Sequence, residues 1–132
     1  MLTQECLAEL RASWLPNITE GGLRRLIELL ETDSPYLIHG CFSRVVPMGC
    51  LATQIAWQHP ETEHLTQEAG ITWLHQVAGL NPATSAVLRV WDSFGPHHPE
   101  LREELLRLFQ AELALRQKQP VRRESSSHPS LV

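Results

Sequence analysis

Lysine is almost missing from this 132-residue chain, where Lys118 is the lone example. Arginine does not make up the shortfall: Lys and Arg total 11 against 15 Asp and Glu, a formal charge of −4. That balance argues against a nonspecific polyanion binder, because counterion release needs a surplus of cationic side chains on one face. Also missing are a glycine-rich phosphate loop, a nucleotide fingerprint and a serine elbow, so nothing marks the chain as an enzyme and no cofactor is expected. No strand-like alternation lasts six residues, which removes sheet architectures. The start lacks a basic region followed by a long apolar run, and the three cysteines are an odd number, so we expect reduced thiols in a cytoplasmic setting. Asn17-Ile18-Thr19 matches a glycosylation sequon, as three-residue patterns do by chance.

What the chain does have is apolar mass, 42% of its residues. The most hydrophobic window runs from Tyr36 to Trp57, but Arg44 lies near its middle and Gly40, Pro47 and Gly49 interrupt it. A bilayer span would carry both the charge and the breaks, so the window reads as core and no membrane contact is expected. Elsewhere apolar residues recur at three and four. Thr3 is placed to cap a first helix bearing Leu7, Leu10 and Trp14. A second runs over 20–31 with Leu23, Leu26, Ile27 and Leu30 in one stripe.

Shorter helices are expected from Pro35 to His39, from Pro47 to Trp57 and from Thr62 to Ala78, the last weakened by Gly70. Asn81-Pro82 reads as a cap with proline in the first turn, opening a helix with Ala83, Val87, Val90, Trp91 and Phe94 on one face. A final helix over 100–118 carries Leu101, Leu105, Leu108, Phe109 and Leu113. From Pro120 the chain is short of apolar residues. The expectation is an all-α, compact bundle of five to six short helices, a single domain over 1–119 with a flexible, disordered tail over 120–132.

Three stretches compete for function. In Ile38-His39-Gly40-Cys41 through Cys50, with His59 beyond, a zinc site would draw on His39, Cys41, Cys50 and His59. Structural zinc sites present two close-spaced ligand pairs, and only His39-x-Cys41 is close here. Free cysteine packs as a small hydrophobe, so we prefer core packing, with thiol chemistry at Cys50 as a further alternative if it sits in a helical first turn. Asp92 with His97, His98 and Glu100 forms another polar cluster, read as a solvated helix face and a first-turn carboxylate.

The second stretch, Val77-Ala78-Gly79-Leu80-Asn81-Pro82-Ala83-Thr84-Ser85-Ala86-Val87-Leu88-Arg89, resembles the turn and recognition helix of repressor-type helix-turn-helix proteins. It departs from their pattern at His75, where a small residue is usual, and at Ser85, where an apolar one is. The resemblance implies DNA binding through the segment 71–94, with Asn81, Thr84, Ser85 and Arg89 toward the duplex.

The third is the last helix, whose apolar residues spread beyond one stripe to Leu106 and Leu115. A helix apolar over half its circumference touches more than its own core. We therefore expect a helical protein-interaction or regulatory module without catalytic activity, binding a protein partner or itself, a homodimer, through Leu106, Phe109, Leu113 and Leu115. Nucleic acid is the alternative partner. The four tryptophans, Trp14, Trp57, Trp73 and Trp91, suit either a core or an interface.

Overall fold

The computed structural model describes residues 1–118; the expected tail, 120–132, lies outside them. Among the described residues the protein is all-α, with no strand beyond the isolated bridges Leu37↔Gly49 and Ser43↔Gly49. Six α-helices follow one another: α1 (Gln4–Glu9), α2 (Glu20–Glu31), α3 (Leu51–Ala56), α4 (Ala69–Thr72), α5 (Ala86–Phe94) and α6 (Pro99–Gln117). None is long and apolar enough to cross a membrane.

Local chemistry accounts for the firm boundaries. Thr3 and Thr19 each accept an amide at a helix start, from Cys6 and Gly22, and α2 then presents Leu23, Leu26, Leu29 and Leu30 to the core. α1 continues through a π-helical turn, Leu10–Trp14, and a 3-10 turn, Leu15–Asn17. A second π-helical turn, Trp73–Val77, prolongs α4. Each of these wider turns carries a tryptophan inward, and Trp14 and Trp73 pack with ring centroids 5.4 Å apart and planes tilted by 56°. Trp91 joins them in the core and donates its Nε1 to the Ile38 carbonyl at 2.9 Å. Trp57 is half-buried and caps the carbonyl of Leu65. Three of the four tryptophans therefore fill the interior.

Three expected helix starts move. No helix forms over 35–39, because the backbone there pairs with the other end of the loop: the Gly49 amide donates to Tyr36 and the Ile38 amide to the Gly49 carbonyl. Helix α3 starts at Leu51, behind Cys50, and not at Pro47. Its Gln54, itself buried, donates Nε2 to the carbonyls of Tyr36 and Pro47 and so holds the loop closed. Thr62 does not open a helix; its hydroxyl is buried on the Ala56 carbonyl at 2.7 Å and α4 begins at Ala69. Asn81 accepts the Ala83 amide within a turn, while Ser85 caps α5 by accepting from Leu88. Side chains that bond their own neighbourhood can cap a turn as readily as a helix, which is why the Asn-Pro signal misplaced the start.

Helix α6 is the long strut. Leu101, Leu105 and Phe109 bury one face, largely against α2, and Arg116 reaches back to the carbonyls of Leu15 and Ile18 at 2.7 and 2.8 Å.

Candidate functional site

The final helix carries two apolar flanks on either side of its buried face. Residues nine apart on an α-helix lie about 180° apart at ~100° per residue, so Leu106 and Leu115 face opposite ways. Phe109 is fully buried, and Leu106 and Leu113 are half-buried against the core. Phe109 is thus part of the packing that holds α6 in place. Of the four expected interface residues, only Leu115 is well exposed, at 55%.

Leu115 belongs to a seam made of Glu104, Leu108, Ala111, Leu115 and Lys118, spaced four, three, four and three. That spacing keeps one face of a helix in register with a partner helix. Where the seam meets α1 it forms one wall of a groove of about 440 Å³, with Leu2 and Leu7 on the other wall and Arg107 at the edge. The groove is fixed by a polar clip at one end. Glu104 accepts the Leu2 amide at 3.0 Å and the Met1 ammonium at 3.1 Å, holding the start of α1 against α6. Burial works to raise the Glu104 pKa, but the Leu2 amide and the ammonium outweigh it and hold the carboxyl below its usual range. Arg107 pairs with Glu103 at 2.8 Å along the exposed side.

The cysteine and histidine stretch is arranged differently. Cys41 is exposed and Cys50 buried, and both border a small cavity of about 140 Å³ with Phe42, Leu88 and Asp92. Asp92 accepts the Gly40 amide at 2.9 Å, and its backbone carbonyl lies 3.1 Å from His39 Nδ1. His59 turns back on its own loop, accepting the Glu61 amide at 3.1 Å. Among the described residues no three His, Cys, Asp or Glu side chains are grouped to hold a metal. Burial pushes the Cys50 thiol pKa up, since a thiolate would lose its hydration there. His97 and Asp33, 2.6 Å apart, and Arg102 form a separate surface cluster.

The helix-turn-helix-like segment places Asn81, Thr84 and Arg89 on the surface and Ser85 inside, 2% exposed. The N-terminus of α5 meets the carboxylate of Glu9. Its Oε2 accepts from the Ser85 hydroxyl at 2.5 Å and from Trp14 Nε1 at 2.8 Å, and its Oε1 from the Ala86 amide at 2.8 Å. This end of α5 therefore packs against α1. Glu9 drew no attention in the sequence, where a lone carboxylate on a helix reads as solvated; its single clue was the wait for a partner to the free amides behind Ser85.

Compared with family models, curated proteins and solved structures, the chain matches none.

Proposed function

We propose that the chain is a helical interaction module that docks a helix of a protein partner in the groove between α1 and α6. The observation that carries this reading is the pair Leu108 and Ala111, half-buried and exposed, facing Leu2 and Leu7 across the groove, with exposed Leu115 continuing the same helix face beyond it. An apolar stripe flanked by Glu104 and Arg107 matches the helix-in-groove mode, in which a partner's residues at three- and four-residue spacing seat against the wall while charges at the rim set register. Three carboxylates elsewhere are engaged in structure: Glu9 caps α5, Asp92 holds the loop at Gly40, and Asp33 clasps His97 and Arg102.

The test is selection of amphipathic helical peptides from a displayed library on the immobilised full-length protein. Ala111 is exposed, so Ala111→Arg fills the groove without touching the core. Retained helices whose affinity falls by roughly tenfold or more in that variant support the reading. Failure of the protein, immobilised as single chains, to retain any helix, or retention indifferent to Ala111→Arg, overturns it.

A further inference from the structure

Resting on that docking role, we infer that the helix received by the groove is α6 of a second copy, lying antiparallel with the two-fold axis near Ala111. The seam is self-complementary in that direction and in no other. Its N-terminal end carries two carboxylates, Glu104 and Glu100, against the single Met1 ammonium at 3.1 and 3.8 Å, which leaves one negative charge over, and its C-terminal end is Lys118, the chain's sole lysine. Turning a second α6 through a half-rotation about Ala111 sets Glu104 of each copy opposite Lys118 of the other. The same register sets Leu108 opposite Leu115. The two sums of residue numbers, 104 + 118 = 222 and 108 + 115 = 223, agree to within one residue, so apolar and ionic contacts form together.

At the centre Ala111 meets its own equivalent, and a side chain that small lets the two backbones approach closely. A parallel pairing would instead set Glu104 against Glu104 and Lys118 against Lys118. Antiparallel pairing also places opposite helix-dipole ends together. Because each patch contacts its own copy, the interface closes at two chains. Leu2 and Leu7 supply the outer wall against which the second helix lies.

The isolated lysine makes the geometry directly readable by zero-length carbodiimide crosslinking of the full-length protein. Within one chain Glu104 and Lys118 are 14 residues apart on one helix, about 21 Å, far beyond an amide bond. A peptide joining them must come from two chains. The Met1 ammonium, 3.1 Å from Glu104 in the same chain, provides a link that forms in a monomer and reports that the reagent works.

The expected result is a covalent dimer containing the Lys118–Glu104 link, with sedimentation equilibrium rising toward twice the chain mass at high micromolar concentration. Ala111→Arg and Lys118→Glu, both at exposed positions, should each weaken association by roughly tenfold or more with the helical signal unchanged. A chain that stays monomeric throughout, or a dimer that ignores Ala111→Arg and Lys118→Glu, overturns the pairing. If that monomer still retains selected helical peptides, the groove serves another partner; if it retains none, the docking role falls as well.

Discussion

Glu9 shows how much one side chain can hold when its neighbours leave donors without partners. Trp14 Nε1, the Ser85 hydroxyl and the Ala86 amide all point at it, and Val87 offers a longer contact at 3.4 Å. Each is a donor, so an acceptor-only group is required. Glu9→Gln keeps the shape but turns an amide NH₂ toward those donors. The expected loss is about 2 kcal/mol in urea unfolding, in the range for a buried donor left unpaired. A change under about 0.5 kcal/mol would mean the contacts are interchangeable with water. The cysteines illustrate the reverse, side chains whose chemistry is subdued by position. Cys6 and Cys50 are 1% and 2% exposed, whereas Cys41 lies at the surface. Burial shields both thiols, and at Cys50 it also raises the pKa and favours the protonated form. Iodoacetamide should therefore label Cys41 in the native protein, with Cys6 and Cys50 labelled only as the protein unfolds, as followed by peptide mass spectrometry. Labelling of Cys50 at the rate of Cys41 would show that α3 opens readily. The same burial predicts that Cys50→Ser costs more than Cys50→Ala, since a hydroxyl would be left in a site bounded by one weak contact to Thr53, at 3.7 Å.

At the scale of elements, Gly70 separates what the sequence could say from what it could not. In one dimension it is a weak point inside a helical pattern. In the structure it is where α4 crosses α3: a Cβ there would lie 2.9 Å from the Thr53 amide nitrogen, with the Thr53 hydroxyl closer still. Backbone cannot yield as a flexible side chain can, so Gly70→Ala should destabilise by about 1–3 kcal/mol despite its better helix propensity. A thermal melt with an unchanged or higher midpoint would show that the crossing relaxes at little cost. Close approach leaves no trace in hydrophobic spacing, which is why the crossing was invisible. By contrast α2 and α6 were legible almost to the residue, because each combines a cap, a long apolar stripe and a clear stop. The loop 32–50 was not, since its backbone bonds and the Gln54 contacts join residues that no local pattern relates. The groove was half legible. Leu115, which extends the groove's helix face, stands off the main apolar stripe, whereas Leu108 falls within it, and Leu2 and Leu7 enter only through the fold.

Across the whole molecule, α6 is tied to distant parts of the chain by charge as well as by its buried face. Glu104 holds the start of α1, Gln110 bonds Glu31 of α2 at 3.1 Å, and Arg102 meets Asp33 at 3.1 Å beyond the end of α2. Asp33 links that end to the loop before α6, through His97 at 2.6 Å. The His97 hydrogen bond, aided by the charges of His97 and Arg102 and opposed by slight burial, keeps its pKa below the ordinary value. The sign of the consequence follows. A carboxylate whose folded pKa lies below its unfolded one, near 3.9, stabilises the fold above that unfolded value and loses the contribution as pH falls through the folded pKa. Glu104 acts in the same direction. Asp33→Asn isolates the charge, because Asp33 has a left-handed backbone with φ of 51° and asparagine accepts that conformation. The wild type should be more stable than this variant at pH 5, with the gap closing between about pH 4 and pH 2. The side chain is 46% exposed, so the gap should be small and should shrink further in high salt. Urea midpoints measured across that range decide it: a gap that persists unchanged at the acid end would mean that Asp33 acts through hydrogen bonding that survives protonation, and that charge plays no part in fastening α6 to the end of α2.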